Sequence, residues 1–392
     1  MRRFSANYIY TNCGKPIRNG VVGVNDNGVV VEIIDHKGQE KEYAHTEFRN
    51  GIIVPGFVNA HCHTELSHLK GKIDQGTGLA NFVDQIRNSR LAGDIIDDKP
   101  IQDAIADMNR QGIVAVADIC NTTDSFLAKQ NSKIRFVNLI EVLGLDKSKA
   151  EIILERAKIA KQIAEETFNA PAFLTPHSFY SLSTSLLKLL MEETKHNPIV
   201  SIHFAESREE ELFTSMQKGK LALNYQNWNL PIDDAPSGNL INLAKRHLSK
   251  ETKTLFVHNT FIRSEDAKEL KRFFPNAYLV LCPASNLYIE KTLPNIPMLI
   301  DENLRIALGT DSLASTSTLS ILEQIRIIQE NFPQIPFPEL LKWATVNGAE
   351  ALGFEKELGT IELGKSPGLN LITPFDFANC KLKENSRVVK LV

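Results

Sequence analysis

The chain has 392 residues, of which 43% are apolar and 23% are charged, and this is an ordinary globular composition. A chain of this length can bury a core without disulfides or structural metals. Its formal net charge of −3 and the lack of a basic run argue against binding to polymeric nucleic acid.

The cysteines and the N-terminus both bear on the compartment. Five scattered cysteines include no C-x-x-C pair, which argues against a disulfide framework and against a thiolate zinc cluster. No apolar stretch follows the two N-terminal arginines, and no run of about eighteen apolar residues occurs anywhere. We therefore expect a cytoplasmic protein with no signal peptide and no membrane contact.

The N-terminal region alternates polar and apolar residues over about 2–48. Turn signals lie at Arg18-Asn19-Gly20 and at Asn25-Asp26-Asn27-Gly28. Alternation interrupted by such turns predicts antiparallel hairpins.

Eight apolar, β-branched runs follow. Several are hydrophobic throughout, such as IVAVADIC, which suits strands buried on both faces of a parallel sheet. The predicted strands are Ile52–Asn59, Ile113–Cys120, Ile134–Leu143, Ala172–His177, Ile199–Phe204, Thr254–His258, Ala277–Cys282 and Leu304–Gly309.

Segments of helical period separate these strands. The predicted helices are Ala150–Glu166, Thr184–Lys195, Glu265–Phe273, Leu319–Asn331 and Pro338–Leu352. Eight strands that alternate with helices are typical of an α/β fold, a (β/α)8 TIM barrel, which we assign to residues 52–357. An open doubly wound sheet is the alternative.

Two further segments do not show this alternation of strands and helices. The stretch Ala222–Asn239 is rich in Asn, Pro and Asp, and it predicts a long loop over the mouth or at a subunit contact, anchored by Trp228. The tail from 358 to 392 shows short strands and turns. Together with residues 1–51, this tail predicts a small β-sandwich domain built from both chain ends.

Polar residues stand where several predicted strands end. Barrels of this kind carry their chemistry at the carboxyl ends of the strands. Six residues fall there: His61, His63, His203, Glu206, His258 and Asp311.

The spacing of the first two histidines has a physical reason. In an extended segment alternate side chains share one face, so His61 and His63 can both point into the mouth while Cys62 points away. Imidazoles and a carboxylate are good ligands for zinc and similar divalent ions. A single His-x-His is also compatible with two ordinary polar residues at a strand end, but a set that spans four strand ends favours a metal.

Beyond these residues, longer segments resemble the amidohydrolase superfamily over nearly the whole chain. The resemblance is carried by VPGFVNAHCHTELSHLKG, TPHSFYSLS, HFAES, VHN, LCPASNLYI, LGTDSLAS and GTIELGKSPGLNLI. The branch it most resembles contains adenosine-type and S-adenosylhomocysteine deaminases and chlorohydrolases. This resemblance implies the barrel, the two-ended β-sandwich and one metal ion. It also implies that His61, His63, His203 and Asp311 are the ligands.

The resemblance also implies roles for the remaining two residues. Glu206 and His258 would be the acid/base and orienting residues, with Asp311 sharing the proton transfers. Two-metal relatives bridge their ions with a modified lysine on the fourth or third strand, and neither predicted strand has one here. Glu141 on the third strand is an alternative bridge. We expect one divalent ion, zinc first, with iron or manganese as alternatives.

Three residues are predicted to contact the substrate. Relatives carry a substrate-binding histidine where His177 stands, although His177 could instead cap the next helix. Glu65 could accept hydrogen bonds from ribose hydroxyls or an amino group. Phe82 could pack against a base, although a core aromatic is the commoner outcome.

These residues predict a hydrolase acting on carbon–nitrogen bonds other than peptide bonds. The leading hypothesis is metal-dependent deamination of a small 6-aminopurine nucleoside, as in relatives that act on aminodeoxyfutalosine or S-adenosylhomocysteine. Alternatives are guanine deamination, imidazolone ring opening and triazine dechlorination. A non-catalytic scaffold would have eroded ligands, whereas all six positions are occupied. A homodimer is compatible with the sequence.

Overall fold

A computed structural model describes residues 1–37, 43–91 and 98–392 of the chain. In chain order, its strands are β1 Arg2–Ile9, β2 Ile17–Arg18, β3 Val21–Val24, β4 Val30–Ile34, β5 Thr46–Pro55, β6 Phe57–Cys62, β7 Ile113–Cys120, β8 Arg135–Val142, β9 Ala172–Pro176, β10 Ile199–Phe204, β11 Lys253–His258, β12 Tyr278–Leu281, β13 Ile306–Leu308, β14 Leu369–Asp376 and β15 Lys381–Lys390.

Helices fill the segments between these strands. They are α1 Leu79–Leu91, α2 Asp98–Arg110, α3 Phe126–Gln130, α4 Ala150–Phe168, α5 Thr184–Glu193, α6 Arg208–Met216, α7 Lys220–Asn227, α8 Leu240–His247, α9 Ser264–Phe273, α10 Pro283–Glu290, α11 Ile296–Asp301, α12 Ile321–Asn331, α13 Phe337–Ala344 and α14 Val346–Leu352. Short 3-10 turns cover Thr64–Leu69 and Lys147–Lys149.

Both ends of the chain join one seven-stranded sheet. Its order is β15-β14-β5-β1-β3-β4, with β2 paired to β1. The long strand β5 connects the two ends because it pairs with β1 on one side and β14 on the other. The β1–β5 pair is parallel, whereas the sequence predicted only antiparallel hairpins here. Residues 38–42 of that predicted hairpin region lie outside the described residues.

The predicted two-sheet sandwich is therefore not confirmed. In the described ranges, both chain ends contribute to a single sheet, since β5 is long enough to pair on both edges. The apolar side chains of this sheet form their own cluster, which includes Phe4, Ile53 and Leu371.

The other eight strands are parallel and form two four-stranded sheets, β6-β7-β8-β9 and β10-β11-β12-β13. The α/β class is thus confirmed, but the continuous closed ladder predicted from the sequence is not found among the described residues. At the β9–β10 seam, the Thr175 hydroxyl donates to the carbonyl of Ser201 (2.5 Å) and accepts from its N–H (2.7 Å). The Thr175 side chain thus binds the N–H and the carbonyl group of Ser201, which in a regular ladder would pair with the backbone of the neighbouring strand.

The β13–β6 seam is bridged in a related way. The side-chain oxygen of Asn59 accepts from the N–H of Thr310 at 3.1 Å, and that N–H also lies 2.9 Å from the carbonyl oxygen of His61. A single bridge between Cys62 and Asp311 joins the two edges beyond it. The two half-sheets therefore stand edge to edge at both seams, with their carboxyl ends on the same side.

The predicted strand Ile52–Asn59 contains a break. Residues 52–55 belong to β5, and the first parallel strand begins at Phe57. The unbroken apolar run IIVPGFVNA hides this break, which falls at Gly56. A Cβ at Gly56 would lie 2.4 Å from Cγ1 of Val114 and 2.6 Å from the carbonyl oxygen of Pro367, so only glycine fits there.

The predicted helices are found with small shifts at their ends. Helix α5 begins after Ser183, whose hydroxyl caps it by accepting from the N–H of Leu186 at 3.2 Å. The predicted helix Pro338–Leu352 is two helices, α13 and α14, which meet at Thr345. No helix in the described ranges is long and apolar enough to cross a membrane.

The predicted loop Ala222–Asn239 is wrong in its first third. Residues 222–227 complete helix α7, because Leu221, Ala222 and Tyr225 supply a buried face at helical spacing. Only the remainder is irregular. Trp228 anchors it as predicted: its ring N–H donates to Asp84 on helix α1 at 3.2 Å.

Candidate active site

The structure brings together all six residues predicted at the strand ends. Each is buried, and they lie at the carboxyl ends of β6, β10, β11 and β13. Two of them, His258 (φ 73°) and Asp311 (φ 61°), have left-handed backbone conformations that non-glycine residues adopt rarely. Such strain is found where a fold must aim a side chain at a fixed point.

The first two histidines face each other. Nε2 of His61 lies 3.1 Å from Nε2 of His63, and Oδ1 of Asp311 lies 3.8 Å and 3.5 Å from these nitrogens. Burial lowers the pKa of both imidazoles, so both are neutral and keep lone pairs for a ligand. Their Nδ1 atoms have no hydrogen-bond partner within the described chain.

Asp311 is held in one orientation by two serines. The hydroxyls of Ser285 and Ser315 donate to its Oδ2 at 2.6 Å and 2.7 Å. Burial alone would raise the pKa of this carboxyl, but the imidazoles of His63, His258 and His61 and the Ser285 hydrogen bond outweigh it and lower the pKa. Asp311 is therefore an ionised carboxylate with Oδ1 directed at the histidines.

The other half of the site is built around His203. Its Nδ1 lies 3.1 Å from Nε2 of His258 and 3.8 Å from Oε2 of Glu206. Nδ1 of His258 in turn lies 3.0 Å from the side-chain oxygen of Asn286, so Nδ1 carries the proton and Nε2 faces the site. Tyr180 donates to Oε2 of Glu206 at 3.2 Å.

The negative charges of the carboxylates in this cluster favour a bound cation. Burial opposes protonation of His203, yet the carboxylates of Glu141, Glu206 and Asp311 outweigh it and raise its pKa to about 9. A divalent ion would satisfy the same carboxylates more completely than a proton does. The ligand atoms of His61, His63 and His203 lie within 4.8 Å of one another, and the buried Nε2 of His203 is unpartnered in the described structure. This donor set fits a metal ion of the zinc type.

A buried ion pair supports, from behind, the segment that follows His61 and His63. Nζ of Lys129 lies 2.5 Å from Oδ2 of Asp118, and both side chains are almost fully buried. Asp118 also accepts hydrogen bonds from the backbone N–H (2.8 Å) and the hydroxyl (2.5 Å) of Thr64. Because Thr64 follows His63, this pair fixes the backbone that carries the second histidine.

A cavity of about 340 Å³ opens above the six residues. His63, His203, Glu206 and Asp311 form part of its lining, which we call the floor. Much of the remaining lining is apolar and includes Leu66, Phe82, Ile86, Leu145, Tyr225 and Trp228. Its size and lining suit a small organic molecule with a large apolar surface.

The three predicted substrate-contact residues are placed differently. Phe82 and His177 line the cavity, whereas Glu65 does not. Oε2 of Glu65 accepts from the N–H groups of Asn121 (2.9 Å) and Thr122 (3.0 Å), and its Oε1 lies 3.3 Å from the guanidinium of Arg90. Both oxygens of Glu65 thus have partners within the chain, and its predicted contact with the substrate stays a prediction.

Glu141 is a second carboxylate that contacts the loop at Asn121. It lies on β8, lines the cavity, and accepts from the side-chain N–H of Asn121 at 2.9 Å through Oε2. Its buried Oε1 lies 3.4 Å from Nε2 of His203 but makes no hydrogen bond in the described chain. The sequence analysis considered Glu141 only as a metal bridge. Its place on a predicted barrel strand was the signal for a further role.

Several polar residues of the cavity lining escaped the sequence analysis, among them Tyr180 and Arg87. Tyr180 was not singled out within TPHSFYSLS, and Arg87 was not singled out on α1. The signal for Arg87 is the helical stripe of α1, which presents Leu79, Phe82, Val83, Ile86, Arg87 and Arg90 to the cavity.

Solved structures resemble the whole chain. The crystal structure of Helicobacter pylori aminofutalosine deaminase in complex with methylthio-coformycin superposes with a TM-score of 0.82 at 24% identity and covers 99% of this chain and 97% of that one. An atrazine chlorohydrolase from Arthrobacter aurescens, complexed with zinc, has a TM-score of 0.72 at 16% identity and covers 94% and 86%. At these identities the likeness establishes the fold.

Sequence relatives and a family profile agree with this fold. A Helicobacter pylori protein named adenosine deaminase is 28% identical over 353 residues, covering 87% of this chain and 84% of the relative. An aminodeoxyfutalosine deaminase of Nitratiruptor is 28% identical over 335 residues, covering 82% and 79%. The profile of the amidohydrolase family matches residues 52–390. This chain belongs to the amidohydrolase family, as its sequence motifs predicted.

Proposed function

We propose that this protein is a metal-dependent hydrolase that deaminates a small nucleoside of the adenosine type. One observation carries the proposal: the carboxyl group of Glu206 lies with His63, His203 and Asp311, three of the proposed metal ligands, on the floor of one cavity. On such a floor, Glu206 would donate a proton beside the place where a bound metal would activate water. The relatives named adenosine and aminodeoxyfutalosine deaminases support the choice of an aminopurine.

The ligands in this proposal are those predicted from the sequence, His61, His63, His203 and Asp311. We propose one divalent ion per chain, with zinc as the first choice and iron or manganese as alternatives, since nitrogen and carboxylate ligands suit all three. When bound, the ion lowers the pKa of a water molecule so that it can attack near neutral pH.

The chain's own residues then move the protons. Asp311 accepts a proton from the attacking water through Oδ1, the oxygen that the two serines leave free. Glu206 protonates the ring nitrogen beside the attacked carbon, which makes that carbon electrophilic. His258 holds the attacking oxygen in place by accepting a hydrogen bond through Nε2, the nitrogen that faces the site. Asp311 then delivers its proton to the departing ammonia, and the hydroxyl proton on the attacked carbon passes to Glu206 as the carbonyl forms, which restores both carboxyl groups to their starting states.

The cavity walls position the substrate. Nδ1 of His177 lies 2.9 Å from the hydroxyls of both Ser178 and Ser181, which leaves Nε2 for the substrate. Burial lowers the pKa of His177 to about 3, so it acts as a neutral hydrogen-bonding group. We propose that Phe82 packs against the base and that Glu141 accepts hydrogen bonds from substrate hydroxyls through its unpartnered oxygen.

The proposal also covers the domain organisation of the chain. The two parallel half-sheets act together as one (β/α)8 barrel, since backbone and side-chain hydrogen bonds join them at both seams. Residues from both chain ends form a separate small β domain, whose sheet includes residues up to Pro55. A cytoplasmic homodimer that binds neither nucleic acid nor membrane remains our expectation.

The direct experiment is an ammonia-release assay of the zinc-loaded protein. The panel contains adenosine, 5′-methylthioadenosine, S-adenosylhomocysteine, aminodeoxyfutalosine, guanine and cytosine, with Asp311→Asn as the blank. Turnover of adenine nucleosides that is absent from the blank supports the proposal. Turnover of guanine or cytosine alone contradicts the substrate class. If none releases ammonia, imidazolone ring opening and triazine dechlorination are the reactions to assay.

A further inference from the structure

A second glutamate contacts the backbone of Glu206, the proton donor of the proposed reaction. Helix α6 begins after Ser207, and Glu210 lies in its first turn. The side chain of Glu210 is fully buried, whereas Glu209 and Glu211 on either side of it are partly exposed. A carboxyl group is costly to bury, so its position points to a specific role.

The carboxyl group of Glu210 binds the N–H of Glu206. Its Oε2 accepts this hydrogen bond at 2.8 Å, while its Oε1 is buried and has no hydrogen-bond partner in the described part of the chain. Ser207 and Glu210 have the spacing of a capping box, in which the glutamate reaches back to the N–H of the capping serine. Here its 2.8 Å hydrogen bond extends one residue further, to the residue whose side chain lies on the floor of the cavity.

The peptide group between Ala205 and Glu206 is held from both sides. Its carbonyl oxygen accepts from the backbone N–H of Phe261 at 2.8 Å, and its N–H is the group that Glu210 binds. Ala205 has a φ of 48°, in the left-handed region that is unfavourable for a residue with a Cβ. The two contacts therefore hold the chain in a turn of raised energy. Because the N–Cα bond of Glu206 starts from this peptide group, the direction of its side chain depends on how the group is held.

Glu210 can make this contact without a charge of its own. Burial and the nearby carboxylate of Glu206 raise the pKa of Glu210 well above the ordinary value of a carboxyl group, although the N–H groups of Glu206 and Ser207 act in the opposite direction. At neutral pH the group is therefore protonated, and it accepts through the oxygen that carries no proton. A glutamine at this position would offer the same kind of acceptor.

We propose that Glu210 is a positioning residue, which aims the carboxyl group of Glu206 at the substrate by fixing the peptide group that precedes it. This inference rests on the proposed deamination, in which Glu206 protonates the ring nitrogen. What the reaction requires of Glu210 is that it accepts the N–H of Glu206. A misplacement of about 1 Å can cost about 100-fold in rate, so loss of this contact should be visible in kcat.

Two substitutions separate the hydrogen bond from the carboxyl group. In Glu210→Met the side chain has a similar length but only a weak acceptor, whereas Glu210→Gln keeps an acceptor oxygen. For the adenine nucleoside that the wild type deaminates fastest, Glu210→Met should lower kcat about tenfold to a hundredfold with little change in KM. Glu210→Gln should restore kcat to within about threefold of the wild type. Glu211→Met, which removes a carboxylate paired with Arg263, is the matched control and should keep the wild-type kcat.

A double-variant cycle tests whether Glu210 acts through Glu206. In the Glu206→Gln background, Glu210→Met should lower the residual kcat less than about twofold, because the proton donor that it positions is already gone. An equal loss in both backgrounds would show general damage to the site and would overturn the proposal. A wild-type kcat in Glu210→Met would do the same. So would a Glu210→Gln as slow as Glu210→Met, because the ionisable group rather than the acceptor would then be required.

Hydrogen exchange gives a readout that does not depend on turnover. Mass spectrometry of the zinc-loaded protein should show faster exchange of the Glu206 N–H in Glu210→Met than in Glu210→Gln or Glu211→Met. Equal exchange in all three variants would contradict the contact between Glu210 and this N–H. If the wild type releases no ammonia from any nucleoside, the proposed deamination is wrong, and the exchange pattern alone decides whether Glu210 holds Glu206 in place.

Discussion

Ser285 and Asp311 are joined by a 2.6 Å hydrogen bond from the serine hydroxyl to Oδ2 of the carboxylate. Ser315 donates to the same oxygen at 2.7 Å. Both donors therefore bind one oxygen, and Oδ1 is left to face His61 and His63. The two serines, which are not among the proposed metal ligands, thus determine which oxygen of Asp311 faces the histidines.

We expect Ser285→Ala to lower kcat about tenfold to a hundredfold, because the Asp311 carboxylate loses part of its fixed orientation. Ser315→Ala should act in the same direction, and the double variant should lose more than either single one. The measurements are kcat in the ammonia assay and zinc content by emission spectroscopy. Ser264→Ala, at the start of α9, is the matched control. An unchanged kcat in the double variant would show that the two serines do not position Asp311.

Glu206→Gln separates catalysis from metal binding. Glutamine preserves the shape of the side chain and can still accept the hydrogen bond from Tyr180, but it cannot supply a proton at neutral pH. We expect turnover to fall by about 10²–10⁴-fold, the usual contribution of a general acid. Zinc content should remain that of the wild type.

Glu211→Gln on the following helix α6 is the control for Glu206→Gln, since its carboxylate pairs with Arg263 and does not line the cavity. A large loss of zinc in Glu206→Gln would mean that Glu206 is a metal ligand rather than the proton donor.

The floor of the site could be predicted from the sequence because the carboxyl ends of successive parallel strands lie on the same side of the sheets. Each residue that follows a parallel strand faces the same mouth, so finding the strands was sufficient to place His61, His203 and Asp311 together. The chemistry of the residue types then suggested their use. Neither step requires knowledge of how distant side chains pack.

The walls could not be predicted in this way. Whether Glu65 or Glu141 presents a free oxygen depends on the backbone N–H groups of Asn121 and Thr122, which are distant from Glu65 in the sequence. The interruptions between the two parallel sheets could not be predicted for a similar reason. They arise because the hydroxyl of Thr175 and the side-chain amide of Asn59 bind backbone N–H groups of the neighbouring chain segment. Hydrogen bonds between residues that are distant along the chain produce no periodic pattern in the sequence.

The number of metal ions is a further testable point. Glu141, His177 and His203 have ligand atoms within 4.8 Å of one another, so a second cation is geometrically conceivable. However, Oε2 of Glu141 is used by Asn121 and Nδ1 of His177 by the hydroxyls of Ser178 and Ser181, so each offers one remaining atom, and the third member, His203, is already a proposed ligand of the first ion. We expect one equivalent of zinc per chain after saturation and gel filtration.

Glu141→Gln should retain that single equivalent while raising KM for a ribonucleoside, because it loses a charged hydrogen-bond acceptor in the cavity. Two equivalents in the wild type and one in Glu141→Gln would instead place a second ion at this cluster.

The buried pair of Lys129 and Asp118 predicts a large effect on stability. Lys129→Met would leave a carboxylate unpaired in a position that water does not reach, and such changes cost about 3–5 kcal/mol. The measurement is the free energy of unfolding from urea titration of the metal-free protein. Arg110→Met, which breaks the exposed pair with Asp107, should change it far less.

A second variant distinguishes the unpaired charge from lost packing. Asp118→Asn combined with Lys129→Met removes both charges and should recover most of the stability that the single variant loses. Turnover should recover less completely, because a neutral amide would hold the N–H and hydroxyl of Thr64 more weakly than the carboxylate does, and Thr64 follows His63, a proposed metal ligand. If the double variant is no more stable than Lys129→Met, the cost comes from packing of the lysine stem rather than from the stranded carboxylate.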